Sequence, residues 1–295
     1  MPVQTSESKV TLQHPKGATA EVLLYGATVI SWKSPDERLF LSSKAILDGS
    51  KAVRGGIPVV FPCFGPPSHP DHTRLSQHGF ARSTLWSWGG VTEDNEKVVV
   101  VKLALEPTEA IRAVYDKPFK LTYVVSLFES DLKTELHVEN TSGSSLQAPE
   151  PFEFQALFHT YIRAPSKDAL VSPLTSLSYF DKTEATEEGR ATAKTETRSG
   201  VDVTKFTDSV YENAPGSYDV KWPGGALHIS AKGLKDVVVW NPQAEGGSTM
   251  GDMEAGGWDH FVCVEPGTVR GFAKVAPGET WVGEQTLSAG SKAAL

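Results

Sequence analysis

The chain has 295 residues, with 28 Lys and Arg against 36 Asp and Glu, a formal charge of −8 and a pI near 5.5. That sign is wrong for a dedicated nucleic-acid binder, which needs a basic face to displace counterions from phosphates. A charged fraction of 22% beside 39% hydrophobic residues excludes wholesale disorder.

Taken in chain order, the dominant period is two. Strands are expected at 9–13 and 20–32, and residues 50–84 then form a long segment rich in Gly, Pro, Arg and His with little periodic order. Further strands are expected at 85–92 and 97–105, with Asp94-Asn95 at the tip between them. Thr108 to Tyr115, ahead of Pro118, is the one helical candidate. The run Phe119 to Glu129 meets Leu132 to Glu139 at Ser130-Asp131, read as a two-residue hairpin turn. In that second run Leu132, Thr134, Leu136 and Val138 alternate with charged residues and His137, the pattern of a strand with one wet and one dry face. Residues 141–150 read as a loop, and 181–200, rich in Thr and Glu, as a solvated excursion. The remaining strands are expected at 152–163, 226–231, 236–241, 260–265 and 279–287. Many strands with almost no helix predict an all-β chain, a large antiparallel β-sandwich. Nothing marks a boundary or a repeat, so one domain over 1–295 is expected.

Two cysteines, Cys63 and Cys263, are too few for a disulfide framework and suit single thiols in a reducing compartment. The start, MPVQTSESK, lacks the apolar core of a signal peptide. No run approaches 18 apolar residues, and the tail SKAAL is no peroxisomal address. A soluble, cytoplasmic protein without a membrane partner is the expectation.

Long irregular segments in compact domains are usually functional or disordered, and Ile57, Phe61, Phe64 and Phe80 anchor 50–84 in favour of function. Within it, Arg54-Gly55-Gly56-Ile57-Pro58 sets paired glycines, which permit close backbone approach, beside a cation. Gln77-His78-Gly79-Phe80-Ala81-Arg82 supplies a second cation. In the strand 152–163 the even side (Phe152, Phe154, Ala156, Phe158, Thr160, Ile162) faces the core. The odd side, with His159, faces solvent or a concave surface; on spacing alone a surface histidine is expected. Glu265 closes the apolar strand Phe261-Val262-Cys263-Val264 ahead of Pro266-Gly267. It shares a face with Phe261 and Cys263, where partial desolvation would make it a better proton acceptor, unless it is simply a strand-end glutamate in water. His69, Asp71, His72 and His78 match no zinc or iron spacing. There is no phosphate-binding loop, nucleophile elbow or dinucleotide fingerprint. Trp86, Trp88 and Trp240 read as core or sugar-stacking residues. The residues alone give a β-rich enzyme or carbohydrate binder with one candidate acid–base pair.

Seven segments in order add a resemblance: GATVISW at 26–32, LDGSKAVRGGIPVVFPCFG at 47–65, LSQHGFAR at 75–82, LFHTY at 157–161, TDSVY at 207–211, VVWNP at 238–242 and CVEPG at 263–267. Together the chain resembles the hexose-6-phosphate mutarotase branch of the aldose 1-epimerase superfamily, over nearly its whole length. The resemblance implies a galactose mutarotase-like β-sandwich that interconverts the α and β anomers of hexose 6-phosphates, chiefly glucose 6-phosphate. It implies His159 and Glu265 as acid and base, on opposite sides of the acetal carbon. It implies Arg54, Gln77, Arg82 and Asp208, with His78 nearby, as substrate-binding residues. It calls for no cofactor, no metal and no macromolecular partner, and a monomer suffices. Gln243, where relatives commonly carry an aromatic residue, implies one altered pocket wall. Two alternatives stay open: an aldose 1-epimerase for neutral sugars, and a non-catalytic carbohydrate-binding regulatory domain.

Overall fold

In the strand Asp131–Asn140 every even-numbered residue is buried and every odd-numbered one is half-exposed. A strand of that kind has to cover its dry face, and it does so within a sheet. In this computed structural model, which describes residues 3–144 and 150–290, it pairs antiparallel with Phe119–Leu127 and with Thr280–Ala289. These strands lie inside a nine-stranded sheet that runs from Val201–Asp202 at one edge to Ser87–Asp94 at the other. An eight-stranded sheet packs on it. There Phe261–Val275 is flanked on one side by Asp236–Asn241 and on the other by Phe152–Phe158 and Tyr161–Arg163. A four-stranded sheet is built from Val3–Thr5, Lys9–Gln13, Thr19–Leu23 and Val29–Lys33.

The dry faces meet in one core that draws Val22 from the small sheet, Leu136 from the large one and Phe154 and Val264 from the eight-stranded one. Across the two large sheets the rings of Tyr123 and Phe158 lie 6.2 Å apart, and those of Phe154 and Trp281 5.2 Å apart. Full burial of such side chains is worth about 1.5–3 kcal/mol each. Between the sheets Thr160 Oγ1 donates to Gln285 Oε1 at 3.0 Å, both residues buried.

The fold is the antiparallel β-sandwich that the alternation predicts, with differences in detail. The strand expected over 20–32 is two, because Gly26 and Ala27 both take positive φ and reverse the chain. The hairpin tip is Glu129-Ser130, one residue earlier than expected, since Phe128 N–H donates to Asp131 O and Leu127 pairs with Leu132. The helix is shorter than its pattern, Glu109–Arg112, with the Thr108 hydroxyl accepting from Ile111 N–H. Residues 181–200 are not a free excursion: Ala193–Thr195 forms an edge of the eight-stranded sheet, and Glu196 is buried, held by Arg198 and the Tyr211 hydroxyl. Thr207–Tyr211 and Ser217–Trp222 are strands that the pattern did not single out. The loop expected at 141–150 begins as a short turn, Thr141–Ser144; residues 145–149 and the tail SKAAL lie outside the described residues. Both cysteines are buried and unbridged. Among the described residues no helix is long and apolar enough to cross a membrane.

Candidate active site

Alternation on the eight-stranded sheet determines what its second face carries. Val237, Val239, Val262 and Val264 point into the core, so Val238, Trp240, Cys263 and Glu265 point the other way. Pairing aligns them: Val238 lies opposite Glu265, Trp240 opposite Cys263 and Asp208 opposite Trp240. On the other flank Tyr161 faces Cys263 and Leu157 faces Gly267. Stepping by two between those pairs puts His159 opposite Glu265.

The ladder between them is interrupted. Thr160 N–H turns back to Phe158 O, and Val264 N–H donates to Thr160 O. The next nitrogen on that side of the strand is that of Pro266, which has no proton to give. A proline inside a central strand is therefore accommodated at the break, and the strand runs on to Val275 instead of ending at Glu265. His159 and Glu265 are 8% and 1% exposed. Neither is the solvated group that spacing alone suggests, because the face that the core leaves free is roofed by residues 50–84. His159 Nδ1 stands 3.2 Å from Glu265 Oε1, an approach not aligned as a hydrogen bond, so Nδ1 has no hydrogen-bond partner.

The roof depends on close backbone approach. A Cβ on Gly55 would sit 2.5 Å from Phe40 O, and one on Gly56 2.1 Å from Val29 O, both at positive φ; only glycine lets this segment press onto its neighbours. The turn fixes Arg54, whose Nε donates to Asp252 Oδ1 and whose Nη1 donates to the Tyr161 hydroxyl, each at 3.1 Å. Asp252 is 3% exposed. His78 holds a left-handed φ of 67°, uncommon outside glycine, and its Nδ1 accepts from Gly65 N–H. Arg82 Nη2 donates to the backbone oxygen of Gln77.

All seven residues singled out in the sequence (Arg54, Gln77, His78, Arg82, His159, Asp208 and Glu265) line one cavity of about 320 Å³, with Phe64, Trp240 and Met250 among its other walls. A cavity of about 340 Å³ beside Trp222 and Arg163 is also lined by Glu37 and His260, but there the Glu37 carboxylate is occupied by Ser31 and the backbone N–H groups of Trp32 and Leu39. Gln243 is not on the wall: its side-chain amide donates to Ser166 Oγ and Val203 O. The histidine cluster is divided. His69 and His72 lie with ring centres 4.8 Å apart, tilted at 41°, beside Asp71, which pairs with Lys117, whereas His78 belongs to the cavity. Tyr161 and Asp252, which accept from Arg54, are not among the residues expected at the site. Tyr161 and Cys263 share faces with His159 and Glu265, so alternation carries a signal for them; Asp252 has none.

Burial governs the charges. It holds the Glu265 carboxyl well above the usual carboxylate range, with Asp208 adding to the rise and Arg82 opposing it. Burial likewise raises Asp208 to about 6. The His159 imidazole is held well below its ordinary value by burial first, then by His78, Arg82 and Arg54. His78 is lowered to about 3, by burial and the two arginines. Each member of the central pair thus favours its neutral form, which leaves one exchangeable proton on the carboxyl and a free lone pair on the imidazole. Such a pair can deliver a proton to one oxygen while removing one from another. For metals, the donor atoms of His159, Cys263 and Glu265 are the group of three among the described residues, all within 4.8 Å of one another.

The sequence model of the aldose 1-epimerase family matches residues 8–288. This chain belongs to the aldose 1-epimerase family. It is 33% identical over 294 residues, 95% of its own length and 84% of the relative's, to a Cenchrus ciliaris protein named "Putative glucose-6-phosphate 1-epimerase". Among solved structures it is similar to a "putative mutarotase (YeaD)" from Salmonella typhimurium, with a TM-score of 0.85 at 24% identity, covering 98% of this chain and 93% of that one. The galactose 1-epimerase of Lactobacillus acidophilus superposes with a TM-score of 0.66 at 13% identity, covering 99% and 98%. The fold is the galactose mutarotase-like sandwich.

Proposed function

We propose that the protein is an isomerase that interconverts the α and β anomers of hexose 6-phosphates, with glucose 6-phosphate as the chief substrate. The observation that carries this reading is the opposed pair His159 and Glu265 on the floor of a cavity whose roof presents Arg54 and Arg82. Anomerisation opens the pyranose ring, rotates about C1–C2 and closes on the other aldehyde face. Opening requires a proton delivered to the ring oxygen and one removed from the C1 hydroxyl; closing reverses both. With Nδ1 and Oε1 3.2 Å apart, the sugar approaches from the cavity side of the pair. It meets them side by side, each facing one of the two oxygens bonded to C1.

Asp208, mostly protonated only below about pH 6, offers acceptors to sugar hydroxyls, and Trp240 a face to the ring. Guanidinium forks suit phosphate bidentately, and Arg54 and Arg82 give the cavity two cations in an otherwise acidic protein. The name of the Cenchrus relative agrees with a phosphosugar. No electron or phosphoryl transfer occurs, so no cofactor is required. The protein acts as a monomer built on one domain, in the cytoplasm, where unbridged thiols persist.

The test is NMR exchange between the anomers of glucose 6-phosphate with and without protein. Catalysed exchange should survive exhaustive EDTA treatment. It should fall about 10²–10⁴-fold in His159→Ala and in Glu265→Ala. Wild-type exchange in both variants would end the assignment.

A further inference from the structure

Beside the acid–base pair lies a donor that the proposed reaction does not use. Cys263 is two residues before Glu265 on the same face of the same strand, fully buried and unbridged. Its Sγ, a His159 ring nitrogen and a Glu265 carboxylate oxygen all lie within 4.8 Å of one another. A second observation points to a cation. His159 Nδ1 is buried, faces Glu265 Oε1 at 3.2 Å and has no hydrogen-bond partner. In a tetrahedral zinc site with bonds of about 2.0–2.3 Å, neighbouring ligand atoms stand roughly 3.3–3.8 Å apart. The imidazole–carboxylate edge is thus nearly formed, and the other edges, none above 4.8 Å, need to shorten by about 1–1.5 Å at most.

We propose that His159, Cys263 and Glu265 form an inhibitory site for thiophilic divalent cations, zinc in particular. The fourth coordination position opens on the cavity, since His159 and Glu265 line it, and would be filled by water. Nitrogen, sulfur and one carboxylate oxygen are the ligand types of zinc, not of magnesium or calcium, which take oxygen ligands. Binding requires the thiol and the Glu265 carboxyl each to release a proton to solvent, two protons for one dication. One thiolate and one carboxylate then neutralise the dication, so Arg54 and Arg82 face no added net charge. Metal bound there occupies both proton-exchanging groups, and anomer exchange stops. The site itself stands on geometry; only its effect on catalysis rests on the function proposed above.

Cobalt(II) is the probe, because thiolate-bound cobalt shows an intense near-ultraviolet charge-transfer band. EDTA-stripped wild-type protein should take up stoichiometric cobalt with that band, lose it to added zinc and keep it on adding magnesium. Cys263→Ser should remove the band and weaken zinc binding about 100-fold, the upper range for losing even a group that merely orients a ligand. Its zinc-free exchange rate should stay near wild type, and zinc should no longer suppress it. Cys63→Ser and His69→Ala should bind as wild type does. Should Cys263→Ser fail to fold, Glu265→Gln keeps the thiol and must still weaken zinc. A wild type without the band, or variants of Cys263 and Glu265 that bind zinc as wild type does, would overturn the site. Zinc bound through Cys263 with exchange undiminished would overturn the inhibition. A wild type that binds zinc but never exchanges anomers would instead count against the proposed function alone.

Discussion

Replacing Glu265 by glutamine should stabilise the protein while removing its chemistry. The carboxyl group is 1% exposed, and burial, reinforced by Asp208, raises its pKa well above that of a free glutamate, with Arg82 opposing. An acid whose pKa is higher folded than unfolded binds more protons when folded at every pH between the two values. Raising the pH through that window therefore withdraws stability, beginning near the unfolded value of about 4.3. Glutamine has nearly the same shape and no charge to desolvate, so it escapes the loss. Near pH 4 the two proteins should be equally stable. The glutamine variant should pull ahead as the pH rises, by roughly 0.5–2 kcal/mol at pH 8, the usual gain from one well-placed substitution. Urea unfolding across that pH range measures it, and thermal midpoints should follow at about 2 °C per kcal/mol for a chain of this size. Anomer exchange should meanwhile drop about 10²–10⁴-fold. A glutamine variant less stable than wild type at pH 8, or an offset that does not change with pH, would refute the claim that Glu265 is held desolvated for its chemistry.

Arg54→Ala and Arg82→Ala should each raise KM for glucose 6-phosphate by roughly 10- to 150-fold, the worth of about 1.5–3 kcal/mol of charge-assisted hydrogen bonding. They should spare the slower reaction of glucose, and equal losses on both sugars in parallel kinetics would remove the phosphate assignment. Asp252→Asn withdraws the carboxylate that accepts from Arg54 Nε at 3.1 Å. Breaking buried pairs costs about 3–5 kcal/mol, and because the Arg54 side chain is 22% exposed the expected loss in urea unfolding is lower, roughly 2–3 kcal/mol. KM for the phosphosugar should rise while kcat is kept; unchanged unfolding and KM would show that Asp252 does not orient the guanidinium. His78, lowered to about 3 by burial, Arg82 and Arg54, is a base that binds protons more readily unfolded. It costs stability as the pH falls from about 6.5 toward 3. His78→Asn, which tolerates the left-handed φ, should flatten that acid limb, and an unaltered limb in pH-dependent urea midpoints would refute the account.

Local pattern made most of the strands legible. Leu132 to Val138 alternate because a half-buried strand must, and the same rule separates Val262 and Val264 from Cys263 and Glu265 without any coordinates. The paired glycines at 55 and 56 likewise declared a close approach, and the seven motifs in order carried the family. What alternation could not say is whether the second face of the strand bearing His159 is wet or roofed. That depends on residues 50–84, about a hundred positions earlier, folding over it. Thr207–Tyr211 and Ser217–Trp222 are strands that local pattern does not single out, and 181–200 reads as a solvated excursion although its polar residues serve a sheet edge and the buried Glu196. Asp252 gave no signal because its partner Arg54 is 198 residues away. The opposition of His159 and Glu265 is decided by strand register on either side of the break at Thr160. The sequence by itself determined which side chains share a face; only the tertiary structure decided which faces meet, because register and burial are set by contacts between segments that local periodicity does not connect.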